Sequence, residues 1–411
     1  MKTKWIAALA GAVACIIGAW LLWADGAEKA DAASQVPNAA TALPAGPSPF
    51  GKLASGTSPL GSSTAPLSAE GLRTREEKLA MWRARYERAE QVYNTYRDST
   101  RYPHESRPIS EHPDRIKPFD PVVEEKTMRD PQGNPVKGIT LKTGQDRVFL
   151  AGNDAVKFTV QALDKEGRVL PLIITRASGQ TLPDNKQLAT PRSANLNFTD
   201  NGPSTGVDEV TGDGNYSARL TPQTQGFAGA SGTIRVLVFV KADGKDGVAH
   251  FDVIYTEDMP AAWLDGIREA QEGGSLNFYP KAQVRVPGRY VVSARVDDAR
   301  GQPFALLTFN DEVKAGAQEF KLHLFGALIR DKRPAFPLKV RDVEAFLLIP
   351  DKFPDRLMMP RRAGVVYTSS SYSAESFSPA EWSSEERSRY LAEYGRDLDT
   401  ARTELERLGN R

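Results

Sequence analysis

Apolar residues change their spacing along this chain, and the changes mark out its parts. Leu79, Trp82, Tyr86, Ala89, Tyr93 and Tyr96 recur at alternating intervals of three and four, the seam of an amphipathic helix. Thr74-Arg75-Glu76-Glu77 has the form of a capping box, so Thr74 is the expected N-cap. The seam ends before Tyr102-Pro103, and a Pro- and charge-rich connector runs to about Pro121. From Val122 the period drops to two: Val156, Phe158, Val160 and Ala162 alternate with Lys157, Thr159 and Gln161. Asp164-Lys165-Glu166-Gly167 is a turn, and Ile234 to Val240 and Val248 to Tyr255 are strands flanking the turn Asp243 to Gly247. A second block of the same kind runs from about Ser275 to Tyr372, through Tyr290 to Val296, Phe304 to Phe309, Phe320 to Leu324 and Val343 to Ile349. Between the blocks, Met259 to Gly273 reads as a linker with one short helix around Trp263 to Ala270. Near the end, Ser378-Pro379-Ala380-Glu381 is a helix-start signal, and Leu391, Tyr394, Leu398, Ala401, Leu405 and Leu408 repeat the three-four spacing.

The expected fold is therefore mainly β: two immunoglobulin-like antiparallel β-sandwiches flanked by short amphipathic helices, with an N-terminal transmembrane helix. In residue numbers this gives a signal-anchor at 1–25, an Ala/Pro/Ser/Gly-rich disordered tether at 26–67 and a helix with its connector at 68–121. The first sandwich follows at 122–256, a linker at 257–274, the second sandwich at 275–373 and the C-terminal helix at 374–411. The membrane reading rests on Trp5 to Trp23, an unbroken apolar or small-residue run led by Lys2 and Lys4. As a helix it rises roughly 28 Å, about the hydrocarbon thickness of a bilayer. The leading lysines hold that end in the cytoplasm, so the bulk is expected in the periplasm behind a single inner-membrane span. The alternative is signal cleavage near Ala32, after the small-x-small sequence Ala30-Asp31-Ala32, which releases a periplasmic or secreted protein. Lipidation at Cys15 fits less well, because apolar Ile16 to Trp23 follows it directly.

Charge and cysteine content narrow the function classes. Lys plus Arg is 53 and Asp plus Glu is 52, so the basic excess that nucleic-acid binding requires is missing. The one cysteine, Cys15, lies in the apolar segment, which leaves the rest of the chain without a disulfide or a thiolate nucleophile. Residues 68–101 carry eight Lys/Arg and six Asp/Glu, whereas 378–411 carry six Arg and eight Asp/Glu, so the two helices have opposite net charge. Pairing with each other, self-association into an oligomer, and separate docking on the sandwiches are the three outcomes open to their seams.

The densest polar motif is Phe198 to Tyr216, with Asp200-Asn201-Gly202, Gly206-Val207-Asp208 and Gly212-Asp213-Gly214-Asn215-Tyr216. It resembles the immunoglobulin-like domain of bacterial envelope proteins of the "choice-of-anchor X" type, with departures at Asn201 and in the extra Val207. The block containing Val296-Asp297-Asp298-Ala299-Arg300-Gly301-Gln302-Pro303 is similar to the module that follows it in such proteins. The resemblance implies a fold and an envelope location; it implies no activity. On the residues alone, Asp200, Asn201, Asp208, Glu209 and Asp213 are hard oxygen ligands suited to Ca²⁺. The same residue types also build tight turns without any metal, and both readings stand at this stage. No other cofactor is expected.

No catalytic constellation is recognised in the sequence: the Gly-x-Ser-x-Gly string Gly202-Pro203-Ser204-Thr205-Gly206 lies inside a turn-rich polar motif and not between a strand and a helix pattern, no His-Glu-x-x-His occurs, and His104, His112, His250 and His323 are scattered. The expectation is a non-enzymatic binding or scaffolding protein whose partner is an envelope protein or glycan. The alternative is a hydrolase, or an accessory polymer-binding module, acting on envelope polysaccharide or peptide.

Overall fold

A computed structural model describes residues 69–183, 191–205 and 207–409. The expected membrane segment, tether and cleavage site lie outside the described residues. Among the described residues, no helix is long and apolar enough to cross a membrane.

The first described element is helix α1, Ala69–Ser99. Thr74 lies inside it, because the helix-favouring residues Ala69, Glu70 and Leu72 carry the helix upstream of the expected cap. Strand β1, Ser106–Pro108, follows in what the sequence presents as a loose connector. It is paired far along the chain, Ser106 with Leu307 and Pro108 with Ala305. Two short 3-10 turns, Ile109–Glu111 and Pro113–Arg115, complete the connector.

The first sandwich is built from β2 (Val122–Arg129), β3 (Pro135–Gln145), β4 (Phe149–Ala151), β5 (Val156–Leu163), β6 (Val169–Leu170), β7 (Leu172–Thr181), β8 (Ser193–Asn195), β9 (Tyr216–Leu220), β10 (Ser231–Ala242) and β11 (Lys245–Thr256). One layer runs β9-β5-β3-β2, with β6 beside β9 on the same edge of β5; the other runs β8-β7-β10-β11-β4. Among the described residues, strand pairing links β2 of one layer to β11 of the other at a single bridge, Arg129 to Val248. Every pairing is antiparallel except β4 with β11. The alternation in β5 is realised as read: Val156, Phe158, Val160 and Ala162 are fully buried. They face Val236, Val238 and Phe251, and the rings of Phe158 and Phe251 meet at 4.7 Å across the two layers.

The second sandwich starts where a linker was expected. Residues Ala261–Glu272 form strand β12 rather than a helix, paired with β13 (Ser275–Val284) through a Gly273-Gly274 turn in which both glycines have positive φ. Two features hide this strand from a period-two reading. A bulge between Trp263 and Ile267 breaks the register, and Glu269 and Gln271 stand where apolar residues would be expected. Those two polar groups are taken up by the chain's later segment: Glu269 accepts from Ser370 N and Tyr372 Oη, and Gln271 donates to Ser376 O. The remaining elements are β14 (Gly288–Asp297), β15 (Pro303–Val313), β16 (Gly316–Glu319), β17 (Leu322–Leu324), the short helix α2 (Gly326–Lys332), β18 (Lys339–Leu348), β19 (Arg356–Met358) and β20 (Arg362–Thr368). One layer is β1-β15-β14-β18 with β19 and β20 sharing the outer edge of β18; the other is β12-β13 with β16 and β17. Phe320 sits between them, its ring 5.8 Å from Trp263, 5.7 Å from Tyr290 and 5.4 Å from Phe309.

The first sandwich is thus an insertion between β1 and β12 of the second. The chain crosses between them twice, at 109–121 and at 257–260. The junction is fastened by arginines. Arg356 lies over both Phe149 and Phe346, at 4.6 and 5.0 Å, and Arg361 lies 4.8 Å over Phe119 while bonding Glu344 Oε1 and Asp146 O.

Helix α3, Glu385–Gly409, ends the described chain. Its cap lies six residues after the expected one. Ser384 Oγ caps it by accepting from Arg387 N, whereas Ser378 is held back on the β12–β13 turn by donating its N–H to Gly274 O. The two long helices pack antiparallel. Tyr96 meets Tyr390 and Tyr394 edge-on at 5.7 and 5.3 Å, and at the far end Arg75 donates to Leu408 O at 2.8 Å. Arg387 returns the favour at the base, bonding Thr100 Oγ1 and Arg97 O at the end of α1, with Glu381 as its counter-ion. Arg101 forks onto Asp331 and Tyr102 Oη donates to the same carboxylate. The Arg101 bond holds Asp331 below the usual carboxylate range, and burial pushes the Tyr102 phenol up to about 12. All twelve seam positions are at least partly buried, and Leu398 and Ala401 are buried outright. The heptad spacing is therefore satisfied within the chain.

That register places Trp82 across from the turn of α3 holding Leu405. Burying a large apolar side chain contributes about 1.5–3 kcal/mol. Trp82→Ala and Leu405→Ala are each expected to destabilise the protein, and the double mutant is expected to show a coupling energy above ~0.5 kcal/mol in urea denaturation. Strict additivity would mean the helices are independent.

Candidate functional site

The acidic motif lies on the outer face of β5 and β9. On β5, Phe158 and Val160 point into the core, so Lys157, Thr159 and Gln161 point outward. Lys157 Nζ bonds Glu209 Oε1 at 2.9 Å and Gln161 Nε2 donates to Asp213 O at 3.3 Å, which lays the loop across that face. The described residues of the motif carry turn-type bonds from backbone N–H groups to carboxylates. Asp200 accepts from Gly212 N and Gly214 N at 2.8 and 2.9 Å, Asp208 from Gly202 N and Glu209 N at 2.7 and 2.9 Å, and Asp213 from Asn215 N at 2.9 Å. Glycine is needed at 202: its φ is +73°, and a Cβ there would stand 2.0 Å from Thr211 Oγ1.

The same bonds have a second result. Asp200, Asp208 and Asp213 each bring a carboxylate oxygen within 4.8 Å of the other two. Asp208 is buried, while Asp213 is exposed at the mouth. Of the other two expected ligands, Glu209 is directed to Lys157, and Asn201 is exposed. The ring of Tyr216, at the start of β9, packs against the core of the first sandwich.

A different feature was not visible in the sequence. Between the two sandwiches is an open cleft of about 200 Å³ lined by Phe119, Asp146, Arg147, Asp154 and Arg361. Phe119 comes from the first crossing, Arg147 and Asp154 from loops of the first sandwich, and Arg361 from the second. Arg147 pairs with Asp154 at 3.3 Å, and Arg361 with Glu344 at 3.0 Å, so the walls offer charge in both signs beside one aromatic face. Only the double crossing brings these residues together, and no local motif marks it.

The histidines stand in separate elements. His323 is the most deeply set: its Nδ1 contacts Asn277 Oδ1 at 2.7 Å, and Asn277 donates to Glu272 Oε2 at 3.1 Å. Burial lowers the pKa of His323, as it does those of His112 and His250.

No protein-family model matches the chain, and no curated protein matches its sequence. Solved structures with partial likeness include a DUF4785 family protein from Legionella pneumophila, at 11% identity, covering 56% of each chain with a TM-score of 0.33. An adhesin of Yersinia pseudotuberculosis matches at 14% identity over 53% of this chain and 57% of its own, with a TM-score of 0.17. A broadly conserved Escherichia coli adhesin matches at 12% identity over 50% of this chain and 86% of its own, with a TM-score of 0.18. This chain spans a little over half the length of the first two. At such scores these likenesses carry no argument about function.

Proposed function

We propose that this chain is a binding or scaffolding protein of the bacterial cell envelope, held at the membrane by residues 5–23 and engaging an envelope protein or glycan through its sandwiches. The observation that carries the binding part is the cleft at the double crossing. An aromatic face and paired charges of both signs, drawn from three separate stretches of chain, suit recognition of a polar partner. Lys2 and Lys4, followed by the uncharged run from Trp5 to Trp23, support the compartment.

Two measurements test this. A photo-crosslinking amino acid in place of Phe119 is expected to capture one envelope component in living cells, while the same group at Ile173, 60% exposed on β7, captures none. Identical products at both positions, or none at either, would refute the cleft as the binding site. Turnover of an envelope polysaccharide or peptide by the purified chain would replace binding with hydrolysis. For the compartment, alkaline phosphatase fused after residue 60 is expected to be active, with the product resisting carbonate extraction. An inactive fusion overturns the envelope location, and a soluble product beginning near Ala33 overturns the anchor.

A further inference from the structure

We infer that the cleft at the double crossing takes one ring of an uncharged, polyhydroxylated ligand, a neutral sugar residue within an envelope glycan. The inference deepens the binding reading above and rests on it. The walls decide the charge of the ligand. Arg147 and Arg361 bring two positive charges, and Asp146 and Asp154 bring two negative ones, so the lining is formally neutral. A phosphate, a uronate or a lysine entering it would meet both signs at once. It would give up its hydration without a net attraction in return. A neutral group avoids that cost, but it must still satisfy strong donors and acceptors side by side.

Hydroxyls do this. Each is both donor and acceptor, so neighbouring hydroxyls on one ring donate to a carboxylate while accepting from a guanidinium. A protein partner offers one hydroxyl or amide per side chain, where a sugar offers several on one rigid frame. The Arg147–Asp154 pair has capacity for such a ligand. Arg147 Nη1 and Asp154 Oδ1 stand 3.3 Å apart, longer than the roughly 2.7–2.9 Å of a charge-assisted hydrogen bond, and Arg147 Nε has no partner in the protein. Asp154 is kept in place by Ala151 N, which donates to its Oδ2 at 3.2 Å. Arg361 is by contrast fixed, by Glu344 of the second sandwich and Asp146 O of the first, with its guanidinium over Phe119. One wall is therefore rigid, and the other keeps hydrogen-bonding capacity for the ligand.

The volume sets the size of the recognised unit. About 200 Å³ is the share of roughly seven water molecules at ~30 Å³ each, room for a single six-membered ring. Pockets for drug-sized ligands run to roughly 300–1,000 Å³. Phe119 supplies the apolar surface that the C–H side of such a ring needs. The cleft is open, so the ring can belong to a longer chain.

The test applies the full chain, in a detergent without a sugar headgroup, to an array of neutral and acidic envelope glycans, and titrates those that bind by calorimetry. Neutral glycans are expected to bind, with an affinity that changes less than about twofold between roughly 50 and 500 mM NaCl, because no net charge is neutralised. Asp154→Asn loses the charge and one acceptor oxygen, and is expected to weaken them at least about tenfold. Ala363→Trp fills the exposed rim of the cleft and leaves every ion pair in place. It is expected to abolish binding while the melting temperature stays near that of wild type. Ile173→Ala is expected to bind as wild type does. Binding that survives both cleft variants overturns the site. Acidic glycans bound in preference, with affinity falling as salt rises, overturn the ligand class alone. If no glycan binds but the crosslinker at Phe119 captures a protein, the sugar is refuted and the binding reading stands; if it captures nothing, both fall.

Discussion

Asp297→Ala is expected to destabilise the second sandwich by about 3–5 kcal/mol, because it leaves a buried guanidinium without its counter-charge. Asp297 and Arg295 are 1% and 8% exposed at the side chain and stand on the outer face of β14, beneath the first crossing. Asp297 Oδ2 accepts from Arg295 Nη2 at 3.0 Å and from Arg341 Nη1 at 3.1 Å. Arg295 Nε and Asp297 Oδ1 lie 2.9 Å apart without the alignment of a hydrogen bond, so even the intact pair is imperfectly satisfied. Asp342 is 3.8 Å from Arg295 and already bonds Arg341, so it cannot fully replace the lost carboxylate. Removing both charges, as Arg295→Met with Asp297→Leu, is expected to cost far less than the single change or to stabilise. Urea denaturation of the two variants checks this. A single mutant within 1 kcal/mol of wild type would show that the pair is solvated.

Gly326→Ala is expected to cost about 3 kcal/mol or more, for a steric reason. A Cβ at Gly326 would stand 2.1 Å from Gly274 O and 3.0 Å from Ser378 N, both backbone atoms. Those atoms are bonded to each other at 2.9 Å, and Gly326 N donates to Ser275 Oγ at 3.0 Å. Three stretches of chain therefore close on one point: the β12–β13 turn, the start of α2 and the segment leading to α3. Gly301→Ala is the comparison. Its φ is +80°, but an added Cβ would meet nothing within 4 Å, so only backbone strain of about 1–2 kcal/mol is expected. If Gly301→Ala proves the costlier of the two in urea denaturation, crowding at Gly326 is not the cause.

Local pattern carried the sequence reading where structure is local, and failed where distant chain decides. The β5 alternation and the two helical seams were legible because each is a run whose own period records which side is buried. The β12 strand was not, because Glu269 and Gln271 are made tolerable by Ser370, Tyr372 and Ser376, about a hundred residues away. Strand β1 was hidden for the same reason: Pro108 finds Ala305, and nothing near residue 108 announces it. At the acidic loop, the residue types were readable but the convergence was not. That Asp200, Asp208 and Asp213 meet, while Glu209 turns to Lys157, follows from the way the loop lies across β5. The cleft had no sequence signal, since its residues become neighbours only through the insertion.

The insertion also sets an order of events as the chain is synthesised. The inserted sandwich is contiguous from residue 122 to 256, so all its strands emerge before any of β12 to β20. Strand β1 emerges about 200 residues ahead of its partner β15, an interval of roughly 10–40 s at 5–20 residues per second. Helix α1 waits longer still, for α3 follows β20 in the chain. Through that interval Trp82 and Tyr86 have no α3 to cover them, and the ends of β1 have no sheet to join. The nascent chain thus carries a finished module flanked by a helix with an uncovered apolar seam, the state in which it is most open to chaperones and to aggregation.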